Sequence, residues 1–244
     1  MKKILLGIVM LMAGMGVQAQ NIQLHYDLGN PLYGKIDKRP AITTTVEMFK
    51  PDKWGSTYFF SDFDYYGDGM AGAYWEISRE FKFTHAPRFA IHGEYDGGLT
   101  SFKDSSAASR FQHAALVGGA YNWLSTDFNK NFSVQVMYKQ YFKGQGRKAF
   151  SSFQVTGVWG ITFGHGLGSF LGFVDVWFDP DVNGKLIVLS EPQIWFNFNA
   201  LKGWEGINLS IGSEVEISNN FVYDKNGRNN KFFAIPTVAL KWTF

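Results

Sequence analysis

Aromatic and carboxylate side chains alternate along two neighbouring stretches of the sequence. Those that share one parity are Tyr58, Phe60, Asp62, Asp64, Tyr74 and Glu76. Residues two apart lie on one face of a β-strand, so we expect these rings and acids to line a common surface. Paired carboxylates can serve acid–base chemistry, whereas carboxylates interleaved with rings can bind a flat solute that is neutral or positively charged.

Catalysis has weaker support in the sequence than binding. The five histidines are scattered over different segments, no serine lies in a G-x-S-x-G turn, and the chain has no cysteine. A catalytic site assembled from neighbouring strands stays open, since residues far apart in sequence can meet in space. These side chains predict no cofactor and no metal site.

The elements that must position the candidate residues are predicted to be β-strands, because apolar residues recur with a period of two. Ile207, Leu209, Ile211, Val215 and Ile217 alternate with mostly polar residues, and a helix would spread them around its whole surface. Twelve such segments lie near residues 21–28, 40–50, 57–66, 72–83, 88–96, 110–121, 131–142, 150–163, 168–179, 184–198, 206–218 and 231–244. Most reach the roughly 9–11 residues that a tilted membrane strand needs. The predicted fold is therefore all-β, a 12-stranded antiparallel transmembrane β-barrel of the outer-membrane type.

The N-terminal residues indicate export. Lys2 and Lys3 precede an apolar run that is too short for a membrane helix and ends in a cleavage-like sequence at Ala19. We therefore predict a signal peptide over residues 1–19 and the barrel over residues 20–244. Without the two leader lysines, acidic and basic residues are equal in number, which argues against nucleic acid as a partner.

The C-terminal strand carries an alternating apolar pattern that ends in an aromatic residue. Its apolar members are Val238, Leu240, Trp242 and Phe244. This pattern resembles the signal that is recognised by the barrel assembly machinery of the outer membrane; the alternative is an ordinary amphipathic strand that ends in Phe. We expect the cell outer membrane as the location, with its lipid and that machinery as partners.

A membrane barrel turns its apolar face to lipid and its polar face to the lumen. The lumen then receives many acids and few basic residues, with the acids concentrated toward the extracellular half. Such a lumen should repel phosphates and favour neutral or cationic solutes. Trp177 and Trp195 share the lumen facing and are candidate contacts on that ground alone. The basic, glycine-rich loop 143–148 is expected to be solvated, with contact to lipopolysaccharide phosphate as the alternative.

Residues 54–64 form an aromatic run that ends in two acids, and residues 74–79 contain an aromatic-Glu-Ile-Ser stretch. In these features the chain resembles the nucleoside-specific outer-membrane channels, the Tsx-like family, and a group of related short barrels of unassigned role. The resemblance implies a narrow channel in which rings stack on the base and polar residues bind the ribose. The lumen contacts that it implies are Tyr58, Phe60, Asp62, Asp64, Tyr74 and Glu76.

We therefore expect passive diffusion of small, neutral, aromatic solutes through the lumen, with nucleosides as the first choice. Two other functions stay open. One is a lipid-modifying enzyme of the outer membrane, and the other is a non-conducting structural or adhesion barrel with a plugged lumen.

Overall fold

The computed structural model describes residues 19–36, 39–67, 69–101, 108–144, 146–182, 185–223 and 230–244. Their fourteen strand segments form one closed antiparallel barrel of twelve strands, because two of the strands are each interrupted once and so consist of two segments. The strands are β1 Ala19–Asp27, β2 Ile42–Pro51, β3 Gly55–Tyr66, β4 Gly69–Phe83, β5 Ala86–Ser101, β6 Ala108–Arg110 with Ala114–Leu124, β7 Lys130–Tyr141, β8 Phe150–Phe163, β9 Gly168–Phe178, β10 Leu186–Ser190 with Gln193–Asn197, β11 Leu209–Asn219 and β12 Phe232–Thr243. The prediction of a 12-stranded barrel is confirmed. The predicted signal peptide, apart from Ala19, lies outside the described residues.

The barrel closes because the first strand pairs with the last. Leu24 on β1 lies opposite Thr44 on β2 and opposite Leu240 on β12. Closure leaves the sheet without an edge, and this is a requirement in lipid, where an unpaired backbone N–H or C=O finds no water.

Successive residues of each strand face lipid and lumen in turn. On β1, Ile22 and Leu24 point outward and are 41% and 48% exposed, whereas Gln23 and His25 point inward and are 2% and 4% exposed. An apolar outer band on a closed barrel is the surface of an outer-membrane protein, and the outer membrane is the location of this chain. No helix among the described residues is long and apolar enough to cross a membrane.

An even number of strands brings both ends of the barrel sequence to the same, periplasmic end. The connections at the opposite, extracellular end are 28–41, 67–68, 102–107, 142–149, 179–185 and 220–231, and those at the periplasmic end are 52–54, 84–85, 125–129, 164–167 and 198–208. The first extracellular connection contains the short helix α1 Gly29–Leu32, and two periplasmic ones contain the 3-10 turns Gly164–Gly166 and Phe198–Ala200. Apart from 198–208, the long connections lie on the extracellular side, as expected of these barrels.

The predicted strand segment 88–96 is too short, because β5 continues to Ser101. Glycine is disfavoured in strands, but Gly97 and Gly98 are strand positions, each covered by a ring. A Cβ on Gly97 would lie 2.7 Å from the indole nitrogen of Trp75 on the outer face, and one on Gly98 would overlap the ring of Phe111 on the inner face. Glycine stands here because another group packs directly on the backbone.

The two interrupted strands differ in whether the pairing register changes across the break. On β6, Arg110 pairs with Leu99 and Ala114 pairs with Asp96, so β6 has one residue more than β5 across its break, which is a β-bulge. The break in β10 lies at Pro192, which has no N–H to donate to the ladder. Register is the same on both sides of Pro192, so the inward facing of the residues around it is kept.

The last strand has the facing that its sequence predicts. Val238, Leu240 and Trp242 on β12, and Phe244 just beyond it, are exposed on the lipid side. Recognition of these residues by the assembly machinery stays a prediction.

We expect Val136→Arg on β7 to lower the free energy of unfolding, because an Arg on the lipid face costs about 2–4 kcal/mol near the bilayer midplane. Val136 is 61% exposed on the outer face, whereas Gln135 points into the lumen opposite Ala120. The matched control Gln135→Arg should therefore lose less stability. Urea unfolding in lipid vesicles, read by tryptophan fluorescence and heat-modifiable gel mobility, measures both variants. Equal losses would contradict the assignment of the two faces.

Candidate functional site

Four inward-facing rings form a continuous row on the lumen wall at β3, β4 and the bulge of β6. The ring centroids of Tyr58 and Phe60 are 6.0 Å apart, those of Phe60 and Tyr74 are 5.9 Å apart, and those of Tyr74 and Phe111 are 6.2 Å apart. We call these four residues the aromatic strip. The strip follows from antiparallel register, which sets Asp62 opposite Tyr74 and Phe60 opposite Glu76. Its rings are only partly buried, so part of each residue remains exposed.

Carboxylates flank the strip and are bound to its hydroxyl groups. The Tyr58 hydroxyl donates to Glu47 Oε1 over 3.0 Å, and the Tyr74 hydroxyl donates to Glu76 Oε1 over 2.7 Å. These hydrogen bonds fix the tilt of both rings. Glu47 Oε2 also accepts from the side-chain amides of Asn21 and Gln23, whereas Glu76 keeps its second oxygen as an acceptor. Rings and acids therefore form one surface with apolar faces and polar edges.

Asp62 and Asp64 lie on the same wall, toward the extracellular end. Asp62 accepts a hydrogen bond from the hydroxyl of Thr45, and Asp64 accepts one from the hydroxyl of Thr43 over 2.6 Å. Both threonines come from β2, whose inward positions face those of β3 in register. The six residues predicted from the resemblance are thus brought together on one wall; their contact with a solute stays a prediction.

A second group of acids lies beside the strip. Glu76, Glu94 and Asp96 bring one carboxylate oxygen each within 4.8 Å of one another, which is an oxygen donor set of the kind that hard cations prefer. A cationic group already lies there, since Lys139 Nζ is 2.9 Å from Asp96 Oδ2 and 2.8 Å from Gln154 Oε1. Asp96 Oδ1 is buried and has no hydrogen-bond partner among the described residues. The cluster therefore keeps a free acceptor next to Tyr74.

The histidines of the lumen are bound into the wall. His92, 2% exposed, lies 3.2 Å from Glu80 and 3.0 Å from Glu94, so each ring nitrogen contacts a carboxylate. His25 uses its ring nitrogens on Thr237 and Gln23. Neither ring has a nitrogen left for a substrate, which gives an enzymatic role no support from these two residues.

Trp177 and Trp195 face the lumen as predicted, but other side chains cover them. Trp177 packs with Val182 and Ile187 near the extracellular end of the barrel. Trp195 is 1% exposed, and Lys241 Nζ lies 4.1 Å above its ring. Both tryptophans fill space against the wall, and their contact with a solute stays a prediction.

The first extracellular connection folds inward across the mouth of the barrel. Ile36 and Tyr33 pack on Phe233 and Ile235, which are lumen-facing residues of β12. Arg39 anchors the connection through hydrogen bonds of 3.0 Å to Asp27 and 2.7 Å to Glu216. Burial disfavours the charged guanidinium, but the attraction of the two carboxylates outweighs it and raises the pKa of Arg39. The described parts of this connection, 28–36 and 39–41, are called the mouth segment below.

Sequence reasoning missed Phe111 and Arg39. Phe111 lies in the bulge of β6, where the alternation is blurred by neighbouring Ala and Gly, and its ring contact depends on Gly98 across the strand. Arg39 lies in a connection without periodic pattern. The acids that bind Arg39 lie at the ends of β1 and β11, and these ends come together only in the closed barrel. The sequence therefore has no local signal for this residue.

A family model described as "Domain of unknown function (DUF5020)" matches residues 19–244. No curated protein matches the chain. Among solved structures, the NanC porin has a TM-score of 0.57 at 9% identity, with 93% of this chain and 100% of that one covered. The KdgM porin has a TM-score of 0.49 at 10% identity, with 93% and 99% covered, and LpxR from Salmonella typhimurium has 0.47 at 9%, with 93% and 100% covered. The likeness to the NanC porin structure supports the barrel fold.

We expect Arg39→Gln to release the mouth segment, because it removes two charge-assisted hydrogen bonds and leaves Asp27 and Glu216 facing each other without a cation. Loss of such bonds typically costs about 1.5–3 kcal/mol each, so amide hydrogen exchange in 28–36 should be roughly ten-fold faster or more. Lys35→Gln, an exposed site in the same segment, is the matched control. Unchanged exchange in Arg39→Gln, or an equal change in the control, would refute the anchoring role.

Proposed function

The chain belongs to the family described as Domain of unknown function (DUF5020), and we propose that it is a narrow outer-membrane channel for small neutral aromatic solutes, nucleosides in particular. The observation that carries this proposal is the aromatic strip with its bound carboxylates. Four rings in contact give a flat solute a series of equivalent stacking positions along the wall, so that it can move from one to the next.

The charge of the lumen supports a solute without negative charge. Inward acids on this wall include Glu47, Asp62, Asp64 and Glu76, and none of them is in an ion pair among the described residues. Their field repels phosphate and carboxylate groups and attracts cations. A nucleoside is accepted on this basis, whereas the corresponding nucleotide is excluded.

The hydrogen-bonding groups beside the rings match the hydroxyls of a sugar. Glu76 has an oxygen beyond the tyrosine contact, and Asp96 Oδ1 has no partner among the described residues. A ribose hydroxyl can donate to any of these acceptors while the base stacks on the neighbouring ring. The resemblance of residues 54–64 and 74–79 to the Tsx-like channels supports the same solute, and the name porin given to the NanC structure supports a channel.

Packing at the extracellular mouth favours a second candidate, a structural barrel that does not conduct. Ile36 and Tyr33 close over one side of the mouth, and Val182 with Trp177 closes over another. A channel requires a path past these groups or a movement of the mouth segment. The uptake experiment below separates the two functions.

The mature barrel, residues 20–244, is expected to pass adenosine and thymidine into liposomes faster than glucose or AMP. Tyr74→Leu and Phe60→Leu should raise the adenosine concentration for half-maximal uptake roughly two- to ten-fold, the range expected from the loss of one aromatic contact. Phe59→Leu is the matched control, because Phe59 lies between strip residues but points outward.

If no solute enters while heat-modifiable mobility shows a folded barrel, the protein is a non-conducting barrel. If glucose or AMP enters as fast as adenosine, the strip does not select solutes. If Phe59→Leu changes uptake as much as Phe60→Leu, the effect is structural.

The channel is also expected to prefer cations over anions. In a planar bilayer under a KCl gradient, the reversal potential should have the sign of a cation-selective pore. Asp62→Asn and Glu47→Gln should both reduce that potential, since each removes an inward carboxylate. Glu205→Gln, an exposed residue of the periplasmic connection 198–208, should leave it unchanged. An anion-selective wild-type channel would contradict the proposed role of the lumen acids.

A further inference from the structure

A cavity of about 390 Å³ lies at the extracellular rim, where β6 is interrupted and β7 ends. Its described lining includes Arg110, His113, Phe142 and Lys143. The volume is in the range of small-ligand sites. No carboxylate is among the described residues that line it, which sets this cavity apart from the acidic lumen.

The cationic groups of the cavity are available to a ligand. Within the described residues, neither Arg110 nor Lys143 forms an ion pair. The neighbouring Arg147 differs, because it is bound to Asp179 and Asp181 across the rim. Of the three basic residues of loop 143–148, Arg147 therefore holds two loops together, Lys143 faces the cavity and Lys148 is exposed outside it.

His113 supplies a polar atom that the protein leaves unused. Its Nδ1 lies 2.6 Å from the Tyr95 hydroxyl, and its Nε2 is buried without a hydrogen-bond partner among the described residues. If the tyrosine donates to Nδ1, the proton of the neutral ring is on Nε2, and the protonated ring carries one there as well. His113 then has an N–H donor without a partner among the described residues, in a residue that lines the same cavity as Arg110 and Lys143.

The cavity lies at the level of the membrane where headgroups are found. His113 contacts the rings of Trp75 and Tyr95 on the outer face, with centroid distances of 6.2 and 5.7 Å. Phe142, which lines the cavity, is 44% exposed. Aromatic girdles of this kind mark the boundary between hydrocarbon and water on outer-membrane barrels.

We propose that this cavity binds a phosphate group on the sugar headgroup of a glycolipid in the outer leaflet of the outer membrane. Arg110 and Lys143 neutralise the phosphate, His113 donates a hydrogen bond to it, and Phe142 contacts the apolar part of the same lipid. A lipid is favoured over free phosphate because the cationic groups stand next to a lipid-exposed ring. Phe111 of the aromatic strip also lines the cavity, but lipid binding there does not depend on conduction.

The test uses the refolded mature barrel in detergent micelles with lipid A, a bisphosphorylated glucosamine disaccharide lipid, as the probe. Native mass spectrometry at several lipid concentrations gives the dissociation constant. Each of Arg110→Gln and Lys143→Gln should weaken binding roughly five-fold, in line with the contribution of one basic residue near an anionic membrane surface. Arg110→Lys should bind within about two-fold of the wild type, because it keeps the positive charge near the anionic surface.

Lys148→Gln is the matched control, since Lys148 is an exposed basic residue at the same rim but outside the cavity. The proposal is overturned if this control weakens binding as much as Lys143→Gln, or if neither cavity variant weakens it while heat-modifiable mobility shows that both are folded. It is also overturned if lipid A stripped of both phosphates binds equally well. Full competition by inorganic phosphate at the concentration of the lipid would assign the cavity to free phosphate instead.

Discussion

The pairing of β1 with β12 is the constraint on which the other features of this protein depend. Once Leu24 is in register with both Thr44 and Leu240, the sheet has no edge and every strand is fixed in facing. Because lipid surrounds the barrel, the apolar residues of each strand must point outward. The polar residues that alternate with them must then fill the lumen, whether or not their charges are balanced. Closure therefore places the acids in the lumen. The sequence determines how many there are only through the residue types at the inward-facing positions.

Much of this arrangement could be predicted from alternation alone, because a period of two determines facing as soon as strand identity is known. Facing placed Asp62, Asp64, Tyr74 and Glu76 on one inner surface, and register then brought them together. Alternation does not show how deeply an inward-facing side chain is buried. Trp177 and Trp195 face inward as Tyr74 does, yet both are buried and Tyr74 is only partly buried, because burial depends on which loops and side chains cross the lumen.

The errors and omissions have a common physical origin in glycine and in irregular backbone. Gly97 and Gly98 lie outside the predicted segment 88–96 because glycine is disfavoured in strands, but here each makes room for a ring that comes from another strand. Pro192, which would ordinarily argue against a central strand, is accommodated by a break in the ladder that leaves register intact. Such positions cannot be recognised from one sequence, since the group that explains each of them is distant along the chain.

The bulge of β6 shows how one local irregularity serves both sides of the barrel wall. An extra residue between Arg110 and Ala114 lets Phe111 cover Gly98 and extend the aromatic strip inside, while His113 turns outward to the girdle and the rim cavity. A regular strand would have placed residues 111 and 113 on the same face, because they are two apart. Placing them on opposite faces requires the one extra residue that a bulge supplies. The inner wall and the outer rim are therefore coupled through the backbone at this point, and removal of one residue from 111–113 should disturb the solute path and the lipid site together.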